Sequence, residues 1–196
     1  MGKHNNVMLR DNIVTSAKEL FRTKGYSETT MNDIIQMAQT SKGNIYHHFK
    51  NKEDLFLYIF EQDISIWIDK WGEFSSHYQD PIDKIHALAQ FSSETTHSQY
   101  IHKATEEFFL STFKNQETHK KIKELDQKYV NLFKEIIIQC LENDKIEKEK
   151  DVDLLAHILM NIIHGIEYSS FEEISFTRNK YYNTAIDIFL NGVIKK

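Results

Sequence analysis

The segment Thr40-Ser-Lys-Gly-Asn-Ile-Tyr-His-His-Phe49 is short, polar and a poor helix by intrinsic propensity, because Gly, Asn, Ser and His all rank below Ala or Leu. Ser41 is nonetheless a good N-cap, and Ile45 and Phe49 repeat at i, i+4. The residues therefore predict one short helix, Lys42 to about His48, held by two apolar anchors. Lys42, Gly43, Asn44, Tyr46, His47 and His48 are left to face outward. Gly43 lets another backbone come close, and the free N–H groups of a first turn favour anionic oxygens. Such a local departure from propensity points to a contact surface, and phosphates fit its chemistry.

Upstream, Ile13, Ala17, Leu20 and Phe21 follow the spacing of an amphipathic helix over about Met8 to Lys24, which Gly25 stops. Thr30 and Asp33 form a capping-box pattern for a second short helix with Ile34, Ile35 and Ala38 inward. Gln39, Thr40 and Ser41 then leave only a tight connection to the Lys42 helix. Two short helices joined by such a turn and braced by a first helix make a helix-turn-helix, whose second helix enters the DNA major groove. Lys42, Tyr46, His48 and Lys52 are expected at phosphates and Gly43, Asn44 and His47 nearest base edges, with Thr30, Thr40 and Ser41 completing the DNA-facing set. The alternative is an ordinary solvated surface.

Charge separates this segment from the rest. The 196 residues carry a formal net charge of -5, but residues 1–52 hold 8 Lys+Arg against 4 Asp+Glu, while residues 53–196 hold 16 against 25. A polyanion would be drawn to the basic end and repelled by the remainder. With a single Pro and 6 Gly, the composition favours long helices over turn-rich β architectures. No apolar run approaches the roughly 18 to 20 residues that cross a bilayer, and Met1 to Arg10 lacks an apolar signal core. The expectation is a cytoplasmic protein with no membrane partner. The lone Cys140 forms no internal disulfide and says little about function.

Downstream, Asn51 and Asp54 cap a longer helix to about Trp71, with Leu55, Ile59, Phe60, Ile64, Trp67, Ile68 and Trp71 on one broad stripe. Pro81 suits the first turn of a second helical block, with helices at about 82–97, 100–114, 117–143, 151–173 and 178–194. The fold class is therefore all-α, with a helix-turn-helix domain over 1–52 and a helical bundle over 53–196, joined by the helix 53–71. The last two helices carry surplus apolar surface through Leu155, Ile158, Ile162, Ile166, Ile186 and Phe189, which suggests a partner helix pair or burial on both sides within the chain.

The residues Leu20-Phe21, Gly25-Tyr26, Thr29-Thr30, Ile34 and Ser41-Lys-Gly-Asn-Ile-Tyr-His-His-Phe-Lys-Asn-Lys-Glu-Asp-Leu-Phe56 resemble the DNA-binding domain of TetR-family repressors. The resemblance implies an all-helical homodimer of about nine helices per chain, bound to double-stranded operator DNA and paired through its last two helices. Trp67 and Trp71, Leu125-Asp-Gln-Lys-Tyr129, Asn161, Gly165 and Ile188-Phe-Leu-Asn-Gly192 extend the likeness to multidrug-binding members of that family. This implies a small-molecule inducer held by Asp63, Trp67, Phe109, Asp126 and Tyr129, with Thr96 and Ile64 standing where those members have acids and Gln99 where they have an aromatic ring. Asp63 and Trp67, one helical turn apart, suit a flat cation. The missing acids leave an apolar metabolite as the alternative ligand.

A dimetal enzyme is the competing class, since helical bundles can place paired Glu-x-x-His motifs around metals. Glu94-Thr-Thr-His97 is one such pair and no second occurs. His157 and His164, two turns apart, are the other histidines of interest; satisfied core or interface roles suit them better than metal ligation. No nucleophile constellation or phosphate loop is present, so no cofactor, metal or catalytic residue is expected.

Overall fold

The first helix is broken where the glycine stands. In the computed structural model, which describes residues 2–95, 102–112, 115–167 and 177–195 (the side chains of 2–5, 102 and 103 excepted), α1 (Gly2–Glu28) is interrupted at Gly25, whose φ of 85° lies in the left-handed region. The α2 helix (Met31–Met37) starts on the reciprocal capping box of Thr30 and Asp33, and α3 (Lys42–His48) on Ser41, whose side chain accepts the Asn44 N–H. The α4 helix (Lys52–Ser75) runs one turn past the expected end at Trp71. The α5 (Pro81–Glu94), α6 (His102–Thr112), α7 (Gln116–Glu142), α8 (Val152–Glu167) and α9 (Arg178–Val193) helices complete nine among the described residues. The predicted extension of α8 to about 173 lies outside those residues. An isolated antiparallel bridge, Ile146 to Ile194, is the only extended pairing among them.

The chain forms two compact units, Met1–Ile64 with Ser98–Ile122 and Ser65–His97 with Lys123–Lys196. The α6 helix lies against α1 and so joins the N-terminal helices although it comes later in the chain. In the first unit Phe21, Tyr26, Phe56 and Phe108 form one aromatic core. Phe56 stacks on Phe108 with centroids 4.5 Å apart, and Tyr26 meets both edge-on. Each buried ring removes enough apolar surface for about 1.5–3 kcal/mol. Ile13, Ala17, Ile34 and Ile45 fill the space between α1, α2 and α3 and are fully buried.

The second unit packs α5 against α9 and α8 against α9. Its core joins Trp67, Trp71, Phe91 and Phe133 to Leu159, Ile163, Tyr182 and Ile186. Asp80 caps α5 through the Ile82 N–H (2.8 Å) and receives the Lys145 ammonium at 2.6 Å, so a helix start and the α7–α8 connection share one carboxylate. Among the described residues, no helix is long and apolar enough to cross a membrane.

Candidate functional site

The α2–α3 pair positions a small polar face. Ile45 and Phe49 are 0% and 3% exposed and anchor α3 from below. Ser41, Lys42, Gly43, Asn44, Tyr46 and His47 are exposed, with His48 half-buried beside them. The connection between the helices is tight enough to drive Gln39 to a φ of 49°, with the Thr40 N–H closing back on the Ile35 carbonyl at 3.1 Å.

Within this face, the Lys42 ammonium lies 5.9 Å from the centre of the Tyr46 ring. The Asn44 side-chain amide donates to Thr40 Oγ1 at 3.3 Å. Burial holds the His48 imidazole below its ordinary value, with His47 and Arg10 adding repulsion. Arg10 itself lies over the Tyr58 ring at 5.3 Å. A cation, an amide, a phenol and two imidazoles on the seven residues of α3 are groups that can donate to phosphate oxygens and base edges.

Three residues expected in the DNA-facing set are occupied otherwise. Thr30 uses its hydroxyl and backbone N–H in the capping box with Asp33, and Ser41 uses its hydroxyl on the Asn44 N–H. Lys52, expected at a phosphate, turns inward: its ammonium donates to the Tyr26 carbonyl at 2.6 Å and the Thr29 carbonyl at 2.8 Å and lies 4.2 Å from the Tyr26 ring centre. The i, i+4 pattern that located α3 carries no information on this long-range cage.

The residues expected around a ligand divide between the units. In the second, Trp67 is buried, meets Tyr129 and Phe91 edge-on at 5.2 and 5.3 Å, and stacks on Trp71 at 6.4 Å. Asp126, one turn before Tyr129 on α7, is half-buried, and burial raises its carboxyl above the ordinary value. His164, expected in a core or interface role, packs beside this group: its ring meets Tyr129 edge-on at 4.7 Å, and burial holds it below the ordinary imidazole value against the opposing charge of Glu167. The spacing to His157 drew attention to this histidine but not to its partner on α7.

In the first unit, Asp63 is paired with Lys18 at 2.5 Å, and Phe109 packs edge-on against Phe60 at 5.9 Å. The expected cation contact of Asp63 is therefore already made by a side chain of the protein. Thr96, His97 and Gln99 lie outside the described residues. Among the described residues, no three His, Cys, Asp or Glu side chains come together as a metal site.

The apolar residues of α8 and α9 also sort differently from the periodicity. Leu155, Ile166, Ile186 and Phe189 are 0–7% exposed within the chain's own core. Ile162 is half-buried and Ile158 is 40% exposed. Leu154, on the same apolar stripe, is 57% exposed, and Ile188, outside the expected set, is 69% exposed. Helical spacing identifies a stripe but cannot divide it between an internal core and an outer face when both sides are apolar.

Residues 13–59 match the model of the bacterial regulatory proteins of the tetR family, and residues 63–195 match the QacR-like protein C-terminal region. The HTH-type transcriptional regulator QacR of Staphylococcus aureus is 31% identical over 190 residues, covering 95% of this chain and 99% of its own. The fold is similar to that of the fatty acid degradation regulator FadR from Bacillus halodurans, with a TM-score of 0.81, 20% identity and coverage of 94% and 95% of the two chains. It is also similar to that of FadR from Bacillus subtilis in complex with stearoyl-CoA, with a TM-score of 0.80, 20% identity and coverage of 92% and 97%. An exposed polar α3 on a helix-turn-helix, carried on a chain that matches both regional models over nearly its whole length, places this protein in the TetR family of bacterial transcriptional regulators.

Proposed function

We propose that the chain is a ligand-responsive repressor that binds a two-fold operator as a homodimer and is released by a small lipophilic molecule. The observation that carries this reading is the α3 face, where two buried anchors hold Lys42, Asn44, Tyr46 and His47 outward on one short helix. Residues 1–52 read DNA, and residues 53–196 hold the ligand and the second copy. The cell interior follows from the DNA partner.

Lys42, Tyr46 and His48 hold phosphates, while Gly43, Asn44 and His47 approach base edges, with Thr40 steadying Asn44. The second copy packs on the outer side of α8 and α9, where Leu154, Ile158, Ile162 and Ile188 leave apolar surface uncovered. Two reading helices then address half-sites ~34–36 Å apart. The ligand lies among Trp67, Tyr129, Asp126 and His164. Because α4 runs from Lys52 to Ser75, a ligand-driven shift of this helix changes the spacing of the two reading helices. Efflux control is the biological role that the multidrug likeness suggests.

A second reading is a sensor of a neutral apolar metabolite. It is favoured by the Lys18–Asp63 pair, which leaves one fewer carboxylate for a cation. The test is enrichment of duplexes by the protein from a random pool, followed by titration of the bound complex with a flat aromatic cation and its neutral isostere. An enriched inverted repeat released by either compound supports the repressor, and the compound that acts separates the two ligand classes. Enrichment of no sequence contradicts the reading.

A further inference from the structure

The turn that leads into the reading helices is gripped from two sides. Gly25 to Thr30 comprises the kinked end of α1 and its link to α2, and its backbone carbonyls at Tyr26 and Thr29 both accept from the Lys52 ammonium, with the Ser27 carbonyl at 3.4 Å. On its other side the Ser27 N–H donates to a Glu107 carboxylate oxygen at 2.7 Å. Glu107 lies on α6, eighty residues further along the chain but in the same compact unit.

Gly25 shows how close that carboxylate comes. A Cβ at this position would lie 2.8 Å from both Glu107 carboxylate oxygens, and the φ of +85° disfavours a side chain in any case. The glycine thus serves twice, as the break of α1 and as the gap into which Glu107 fits. Thr29, fully buried, ties the turn internally by donating to the Gly25 carbonyl at 2.7 Å.

We propose that Lys52 and Glu107 are positioning residues that clamp the Gly25–Thr30 turn and so set the orientation in which α2 and α3 meet the operator, without either side chain touching DNA. The inference rests on the operator-binding reading and reassigns Lys52 from a phosphate contact to an internal brace. The ammonium's hydrogen-bonding capacity is directed to the turn: three N–H donors face two short carbonyl contacts and one longer one. Burial draws the Lys52 amine below its ordinary value, while Glu107 and Glu28 counter that shift, as expected of a cation held inside a partly acidic cage. The Thr30–Asp33 capping box follows the turn directly, so displacement of the turn tilts α2 and, through the tight Gln39 connection, α3.

The test measures affinity of the enriched duplex by fluorescence anisotropy at several salt concentrations, for the wild type, Lys42→Ala, Lys52→Met, Lys52→Arg, Glu107→Ala and Glu107→Gln. Thermal midpoints are recorded in parallel. Lys52→Met and Glu107→Ala are expected to weaken binding about ten-fold or more at temperatures where both remain folded. The dependence of log K on log salt should keep its wild-type slope in Lys52→Met and become shallower by about 0.9 in Lys42→Ala, because only Lys42 displaces a counterion. Glu107→Gln, which keeps an acceptor for the Ser27 N–H, and Lys52→Arg, which keeps donors, should recover part of the loss.

A slope reduced by about 0.9 in Lys52→Met overturns the proposal by making Lys52 a phosphate contact. Lowered thermal midpoints with operator affinity within two-fold of wild type also overturn it, because the clamp would then stabilise without orienting. If Lys52→Met does not fold, the Glu107 pair decides between these outcomes. A wild type that enriches no duplex removes the operator reading itself, which distinguishes that failure from failure of the clamp.

Discussion

The Lys18 ammonium lies 2.5 Å from a carboxylate oxygen of Asp63, linking α1 to α4 within the first unit. An acid that sequence likeness assigns to a drug cation is therefore already neutralised by the protein. Both side chains are partly exposed, so the pair contributes well under about 1 kcal/mol to stability. Asp63→Asn should leave the thermal midpoint within a degree or two and leave affinity for a flat aromatic cation nearly unchanged. A calorimetric titration that shows a ten-fold loss would reassign Asp63 to the ligand.

Asp126 behaves in the opposite way. Burial raises its carboxyl above the ordinary value, so the folded protein holds this proton to higher pH than the unfolded chain does. The stability sign follows: the contribution favours the fold at low pH and is lost as pH rises through the raised value. Asp126→Asn should thus slightly raise the thermal midpoint at pH 7. If the ionised carboxylate holds a cation, affinity for that cation should increase as pH rises through the same range, and this dependence should vanish in Asp126→Asn. A neutral isostere should show no such dependence in either protein.

Acid sensitivity should come from a different carboxylate. Lys145 and the Ile82 N–H hold Asp80 below the usual carboxylate range, so its stabilisation is present above the unfolded value near 3.8 and is lost as pH falls through the folded one. Thermal midpoints recorded from pH 2.5 to 6 should fall on the acid side for the wild type. Asp80→Asn should fall less steeply there while starting lower at pH 6.

Phe108 stacks on Phe56 and meets Tyr26 edge-on, and it is fully buried. Phe108→Ala should cost about 3–5 kcal/mol in urea unfolding monitored by circular dichroism. Gln39 provides the reverse case. Its φ of 49° strains a non-glycine residue at the end of α2, so Gln39→Gly should gain up to about 1 kcal/mol.

The α3 helix was legible in sequence because its signals are local. Ser41 as a cap, Ile45 and Phe49 one turn apart, and Gly25 as a stop all act over a few residues, and each stands where those rules place it. Lys52, Asp63 and His164 were not legible in the same way. Their partners lie at Tyr26 and Thr29, at Lys18, and at Tyr129, separated by 23 to 45 residues. The side chains are short on local constraint, and only the packing of α1 on α4 and the meeting of α7 with α8 selects what they touch. Likewise, Leu154 and Leu155 are adjacent apolar residues with opposite exposure, a difference set by the direction of α9 and not by their chemistry.

The most direct test of the central claim is the operator affinity of Tyr46→Ala and Lys42→Ala relative to wild type, measured by anisotropy on the enriched inverted repeat and on a scrambled duplex at fixed salt. The account predicts that both variants keep the wild-type helical signal while binding the inverted repeat and the scrambled duplex more weakly by similar factors, because both side chains hold phosphates, which carry no sequence information. Unchanged affinity in both folded variants would contradict the assignment of α3 as the DNA-reading element.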